Sequence, residues 1–330
     1  MNRSRGTLPA TLALLLMTVQ VSAAEEKYPL RSVDLITEIY FIATPQFRGL
    51  VHRGDWFEIK ARVDDNWSAT ITNFQLRDRN LLDETYLQYE NTASVTKAGR
   101  LRSIFGFGKW TDLFYNVMSR NPMIRSLPVL DQYSLLNFTS GGETHFYRDG
   151  WELALQVGDS QLSDRQFLPG RANAIQARLQ APIGDGQLGL NVAKVDKGTF
   201  GPGGEVFGLD FRRIAKRVQL RAEVLGSRGS GLTSKGYYAD LTYRLPGNHR
   251  TQVGVRLEEY AMGVTSTRLM TAGMRYVPIP QLAFTLNYGW TPKFGVLEQK
   301  AQSGYAPPPG YGGTLLGWSL QTMLAFRFKT

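Results

Sequence analysis

The chain has 330 residues, no cysteine, 12% aromatic residues, 34 glycines and a formal net charge of +10. Without thiols, neither a disulfide framework nor a thiolate metal site is available. The mean hydropathy is −0.24, and past the first two dozen residues no stretch is apolar enough to span a bilayer as a helix, which sets aside the helical membrane class.

The N-terminus reads as an address. Arg3 and Arg5 give a positive start, Leu8 to Val19 form a short apolar core, and Val21-Ser22-Ala23-Ala24 supplies small residues for cleavage. This predicts a secretory signal peptide over 1–24, cut after Ala23 or Ala24, and a single domain over 25–330. Removing two cations and no anion takes the charge from +10 to +8. For an exported basic chain the partners are anionic solutes or lipid headgroups, and no nucleic acid is expected.

Strand-like alternation then recurs along the chain. Val33 to Ile42 is followed by Trp56 to Asp64, where Phe57, Ile59, Ala61 and Val63 oppose Glu58, Lys60 and Arg62. Asn66 to Leu76, Asp83 to Glu90 and Ser94 to Arg102 alternate less cleanly, and Gly142 to Tyr147 is short. In Trp151 to Gly158, the residues Trp151, Leu153, Leu155 and Val157 oppose Glu152, Ala154 and Gln156. Ala174 to Ala181, Gln187 to Val195, Glu205 to Arg212 and Arg217 to Gly226 follow at close spacing. Gly236 to Arg244, Thr251 to Tyr260, Arg268 to Val277 and Gln281 to Trp290 continue the pattern. Short Gly, Pro and Asn links such as Leu245-Pro246-Gly247-Asn248 punctuate them.

The last segment, Trp318 to Phe328, places Trp318, Leu320, Thr322, Leu324, Phe326 and Phe328 on one face. Ser319, Gln321, Met323, Ala325 and Arg327 take the other. A half-buried strand of a soluble sandwich also alternates. Recurrence decides between them: about 16 such segments, each near the 9 to 11 residues a tilted strand needs to cross a bilayer, predict an all-β transmembrane antiparallel barrel of the bacterial outer membrane. Short turns are then periplasmic, and longer polar links at Asp159 to Arg171, Lys197 to Gly203, Ser227 to Lys235 and Thr291 to Gly317 external. The last of these carries the stiff stretch Tyr305 to Tyr311.

Residues 103–140 break the rhythm, being too long for a plain connection, rich in aromatics, and carrying Lys109, Arg120 and Arg125. The segment reads as an insert folded into the barrel mouth as a constriction loop, its apolar groups on the wall and its cations towards the pore. Covering an edge or pairing with another subunit is the other reading. Asp112 to Met118 has the makings of a short helix capped by Thr111.

Two stretches carry a family resemblance. Leu82-Asp83-Glu84-Thr85-Tyr86-Leu87-Gln88-Tyr89 and Ala98-Gly99-Arg100-Leu101-Arg102-Ser103-Ile104-Phe105-Gly106 resemble bacterial porins of the phosphate-selective O/P type, in an acidic-aromatic strand followed by a glycine-basic turn ahead of the inserted loop. The likeness is concentrated between about residues 82 and 146 and in the terminal strand. It implies a trimeric anion channel with a basic constriction. Outer-membrane barrels of this kind commonly end on an aromatic residue read by the barrel assembly machinery, whereas here Lys329 and Thr330 follow Phe328.

In a pore, rings of Arg and Lys favour anions. With the apolar face towards lipid, alternation places Lys60, Arg62, Arg102, Arg178, Arg221, Arg256, Arg275 and Arg327 inside, together with Glu58, Glu152, Glu223, Asp240 and Glu258. A charge facing lipid at mid-depth would cost about 2 to 4 kcal/mol. The candidate constriction set is Lys109, Arg120 and Arg125 with Arg62, Arg102, Arg178, Arg221 and Arg256; most lumenal Arg–Glu neighbours are expected to pair across strands. The function predicted is passive diffusion of small hydrophilic, preferably anionic solutes, with no cofactor, no metal and no enzymatic activity. Two rivals share the fold. A lipid hydrolase needs a nucleophile with a positioned base, and only His52, His145 and His249 are available; Glu143 and His145 share a strand face without a known signature. A closed structural or adhesive barrel would differ by its lumen, where Gly189, Ala193, Gly208, Gly254 and Gly273 signify either room or close packing.

Overall fold

The computed structural model describes residues 31–43, 49–76, 80–106, 117–118, 138–161, 173–196, 204–229, 234–247, 249–293 and 317–329. Sixteen antiparallel strands close on themselves, each hydrogen-bonded to its sequence neighbours and the last to the first. They are β1 Ser32–Ala43, β2 Val51–Arg62, β3 Trp67–Leu76, β4 Asn80–Glu90, β5 Ser94–Arg102, β6 Phe138–Arg148, β7 Trp151–Gln161 and β8 Asn173–Ile183. β9 Gly186–Val195, β10 Gly204–Ala215, β11 Val218–Arg228, β12 Ser234–Arg244, β13 Thr251–Met262, β14 Thr265–Ile279, β15 Leu282–Lys293 and β16 Gly317–Lys329 complete the wall. The ring is sealed by β1 against β16, from Asp34 opposite Lys329 to Ala43 opposite Leu320. With no free edge, every strand backbone can be satisfied without water, which is the condition for crossing hydrocarbon.

The outer surface is what the alternation demands. Leu153, Leu155 and Val157 on β7, Leu190 and Val192 on β9, Leu209 on β10, Val224 on β11, and Val255 and Leu257 on β13 all stand exposed. Aromatic side chains flank this belt at both ends. Phe207, Tyr237, Trp290 and Trp318 lie near the long-loop ends, and Trp67, Phe146, Trp151, Tyr276 and Phe328 near the short turns. Trp67 packs on Tyr89 with ring centroids 5.1 Å apart. An apolar belt with aromatic girdles is the surface that meets a bilayer.

Short turns have fitting chemistry. Asp149 (φ 50°) and Gly150 (φ 81°) form the two-residue link between β6 and β7, the left-handed pair that matches the twist of a hairpin. Between β2 and β3, Asp64 Oδ1 accepts from the amides of Asn66 and Trp67 at 2.8 and 2.7 Å, an Asx turn. In the β8–β9 turn Arg213 donates to Asp185 at 3.0 Å and holds its carboxyl below the usual range.

A corner is built into the wall at β5–β6–β7. Gly99 lies opposite Gly141, and Gly141 opposite Gly158, with φ of 142° at Gly99 and 156° at Gly158. A β-carbon on Gly141 would press on Val157 O and stand 2.6 Å from Gly158 Cα; one on Gly158 would stand 2.7 Å from Gly141 Cα. Three facing glycines let the backbones approach and the sheet bend where the inserted segment leaves it. Gly141→Val should therefore destabilise the barrel by more than about 4 kcal/mol, the range reserved for backbone collisions and cavities. Unheated gel mobility would show an unfolded band. Gly226→Val, where the added carbon meets nothing within 4 Å, should run as wild type.

Element bounds move outward from the sequence expectation at most ends. β6 starts at Phe138, not Gly142, so the insert closes at residue 137. The short helix expected over Asp112 to Met118 is not supported where it can be tested: Val117 is in a bend and Met118 is irregular, and 111–116 lie outside the described residues, as does the 305–311 stretch.

Candidate functional site

After β5 the described start of the inserted segment, 103–106, stays inside the barrel. Ser103, Ile104, Phe105 and Gly106 are all buried, and the turn is tied to the inner wall by side-chain hydrogen bonds. Ser103 Oγ donates to Gln176 Oε1 at 2.6 Å and accepts the Phe105 amide at 3.2 Å. The Gly106 amide donates to Asn191 Oδ1 at 2.9 Å. Gln156 Nε2 donates to the Arg102 carbonyl and to Glu143 Oε2, both at 2.8 Å, while its Oε1 accepts from Gln176 Nε2 at 2.9 Å. Three strands, β7, β8 and β9, thus each offer one amide side chain to the root.

A second attachment lies on the far side. Asn287 Nδ2 on β15 donates to the Val117 carbonyl at 2.7 Å, and Val117 and Met118 are 1% and 2% exposed. Glycines make the seats. A β-carbon on Gly208 of β10 would stand 3.0 Å from the Phe105 ring, one on Gly254 of β13 would stand 3.4 Å from Met118 Cε, and one on Gly273 of β14 would stand 2.8 Å from Val117 O. Small lumenal residues therefore mean close packing here, not room. Gly189 likewise lies under the Asp210 carboxylate, 2.5 Å from where its β-carbon would be. Between Gly208 and Gly273 the wall turns through four strands, so the insert touches the inside at two separated places.

Beneath it runs a ladder of ion pairs. Arg178 Nη2 donates to Asp210 Oδ1 at 3.0 Å, and Asn191 Nδ2 to Asp210 Oδ2 at 2.5 Å. Asp240 is shared: Arg256 donates to it from Nε and Nη2 at 2.5 and 2.8 Å, and Arg221 from Nη2 at 3.3 Å. Arg256 is 3% exposed and its guanidinium lies 5.5 Å over the Tyr238 ring. Arg102 Nε is 3.5 Å from Glu84. Cross-strand pairing of this kind satisfies buried charge and leaves little net field.

Four of the five wall arginines in the candidate set, Arg102, Arg178, Arg221 and Arg256, are thus inside and beside carboxylates. The other, Arg62, keeps inward parity opposite Ser68 but closes β2 at its short-turn end, exposed and on the rim opposite the insert's root. Lys109, Arg120 and Arg125 lie outside the described residues. Arg275 is buried on β14, and Arg327 is 65% exposed beside Asp34. Of the inward acids, Glu223, Asp240 and Glu258 are buried, whereas Glu58 and Glu152 are half-buried. The wall is unequal: inward side chains of β7 to β14 are covered almost throughout, while Glu58, Lys60, Glu84, Tyr86 and Lys97 on β2, β4 and β5 keep partial exposure. Gln156, Gln176, Asn191 and Asn287 are the functional positions that residue chemistry passed over. Their inward parity was the available signal.

The histidines do not assemble a nucleophile. His145 Nδ1 lies 2.6 Å from Glu152 Oε1 and its Nε2 lies 3.1 Å from Glu143 Oε1, with Lys97 donating to Glu143 at 2.7 Å. Two carboxylates occupy both ring nitrogens, leaving no lone pair for a serine. His52 sits within β2, 2.8 Å from Asp55, and is exposed, as is His249 in its turn. Glu258 and Glu259 take opposite faces.

No family model matches the sequence, and no curated protein does. Solved structures of bacterial outer-membrane porins share the fold. An anion-selective porin from Comamonas acidovorans aligns with a TM-score of 0.58 at 10% identity, over 92% of this chain and 100% of that one. OmpT, an outer membrane protein of Vibrio cholerae in its trimer form, gives 0.59 at 9%, over 90% and 98%. A mutant of the Rh. blastica porin gives 0.57 at 8%, over 90% and 99%.

Proposed function

We propose that the chain is an outer-membrane porin, exported by a signal peptide over 1–24, through which small hydrophilic and preferably anionic solutes diffuse. The observation that carries this reading is that the described parts of the inserted segment, 103–106 and 117–118, are held inside a closed barrel with an apolar outer face by amides from the inner wall. A segment so placed narrows whatever passes, and the polar groups of the lumen line the passage. The route runs along β2, β4 and β5, where Lys60, Glu58, Glu84 and Lys97 retain exposure, and the covered arginines of β8 to β13 stiffen the opposite wall. Preference for anions then comes from Lys109, Arg120 and Arg125 of the insert, since the wall arginines are neutralised by their carboxylates. The fold shared with an anion-selective porin and with a protein solved in a trimer form supports the preference and a homotrimer; phosphate selectivity is not part of the proposal.

Planar bilayers test it. Wild-type protein should give discrete channels whose reversal potential under a salt gradient reports anion preference, and neutralising Lys109, Arg120 and Arg125 to Gln should move it towards zero. Because the chain lacks cysteine, Lys60→Cys offers a unique thiol. An anionic thiosulfonate should change its conductance and leave Arg256→Cys unaffected. Absence of channels would favour the second reading, a closed structural barrel, to which the covered wall of β7 to β14 lends weight. Cation preference would overturn the anionic part alone.

A further inference from the structure

The outward face carries a row of charges at the long-loop end that the pore reading leaves unused. It comprises Lys194 on β9, Glu205 on β10, Arg228 on β11, Lys235 on β12, Glu259 on β13 and Arg268 on β14. Each follows the exposed apolar residues of its own strand in parity, as Lys194 follows Leu190 and Val192. Lys194 lies opposite Glu205, and Glu205 opposite Arg228. Lys235 lies opposite Gly226, two residues deeper than Arg228, and Glu259 lies opposite both Tyr237 and Arg268, deeper by two more. Tilted strands require a level ring to step through the register in this way, and the strand ends step in the same direction from β9 to β14. The six residues therefore keep near one height, just above Phe207 and Tyr237 of the upper aromatic girdle.

The row is not a self-neutralising belt. Arg228 pairs with Glu205 at 2.7 Å and Arg268 with Glu259 at 2.9 Å, the two arginines remaining well exposed and the two glutamates partly so. Arg228 also rests over the Phe207 ring at 5.8 Å, and Tyr237 OH donates to Glu259 at 3.2 Å. Lys194 and Lys235 have no ion-pair partner among the described residues. Two arginines are thus fixed in orientation, and two lysines are left to answer an outside anion. Elsewhere on the same rim Asp55 on β2, Asn73 on β3, Ser140 on β6 and Asp159 on β7 are neutral or acidic outward positions, and Arg100 on β5, opposite Ser140, is buried at 8% exposure. The four exposed cations of the row lie on one arc of six adjacent strands.

We propose that this arc binds the phosphate groups of lipid headgroups in the outer leaflet. The inference rests on the membrane orientation adopted above and not on conduction. Cations held at the level where acyl chains give way to headgroups attract anionic lipid over a distance of about a Debye length, and Arg with Lys offers the fork and point charges that phosphate takes. The apolar belt directly below supplies the seat for the chains.

The test uses the full chain in detergent, loaded with bis-phosphorylated lipid A or with its dephosphorylated form and read by native mass spectrometry. Wild-type protein should retain phosphorylated lipid, and the dephosphorylated form should bind at least several-fold less. Lys194→Gln with Lys235→Gln, which leaves both ion pairs intact, should lower retention about fivefold or more, a change of one screened phosphate contact or better. Lys216→Gln with Arg217→Gln, at the short-turn rim, should leave it unchanged. Equal retention by the arc variant, or equal loss in the rim control, would overturn the proposal. Displacement of the lipid by millimolar inorganic phosphate would reassign the site to free phosphate. A bound second copy of the chain in place of lipid, lost in the arc variant, would make the arc a subunit contact instead. Bilayer conductance of the same samples is read separately, so a failed porin reading and a failed lipid site give different results.

Discussion

Asp240→Ala should destabilise the barrel by about 3 to 5 kcal/mol, the cost of removing one partner from a buried ion pair. Asp240 is 2% exposed and takes three donor contacts from two guanidiniums. An arginine cannot shed its proton to escape burial, so both cations would face each other across β11, β12 and β13. Glu258, on the same face of β13 as Arg256, offsets part of the loss. Asp240→Asn, which keeps an acceptor and removes the charge, should fall between alanine and wild type. Urea unfolding followed by unheated gel mobility measures all three. The same number bears on function. Should Asp240→Ala cost under about 1 kcal/mol, the value for solvent-screened pairs, then water reaches this wall and the route of solutes is wider than β2 to β5. A large cost keeps the passage on the other side.

The barrel was legible because one constraint repeats along the chain. Hydrocarbon admits only apolar side chains at mid-depth, so each spanning strand had to declare its outward face, and Trp151 to Val157 or Gln281 to Trp290 could be assigned without knowing their neighbours. The lumen imposes no such uniform demand. Alternation gave the inward side of Gln156, Gln176 and Asn191 but not their task, because three amides facing inward become a clamp only when the root of the insert is delivered to them from β5, a contact up to 85 residues away in sequence. The glycines were ambiguous for the same reason: Gly208, Gly254 and Gly273 are read as seats only when Phe105, Val117 and Met118 are seen in them. Parity gave the face of Arg62 but not its depth: it closes β2 at the rim away from the insert's root. Selectivity was the least legible part, since pairing with Asp210 and Asp240 cancels arginines that a count of lumenal charge adds up.

Gln156→Met with Gln176→Met should convert a steady channel into one that switches between two or more conductance levels. Methionine keeps the length and volume of glutamine while removing its hydrogen bonds. Ser103 Oγ, the Arg102 carbonyl and Glu143 Oε2 would each lose a buried partner, and leaving such groups unsatisfied costs about 1 to 3 kcal/mol apiece. Two of the three losses fall on the docked position of the insert; the third, at Glu143, falls on the wall, where Lys97 and His145 still hold the other carboxylate oxygen and the strands keep their backbone ladders between β7 and β8. A displaced root can recover its bonds from water, so the penalty becomes a driving force for leaving the wall. A few kcal/mol is enough to raise a displaced population from under 1% to a large fraction. The barrel's urea midpoint should stay near wild type. Asn287→Leu, which removes the single bond at the far attachment, should give a smaller effect, because three wall amides still hold the root. Double-mutant conductance indistinguishable from wild type would mean that the amide clamp follows the insert's position without setting it, and the glycine seats would then be what fixes the constriction.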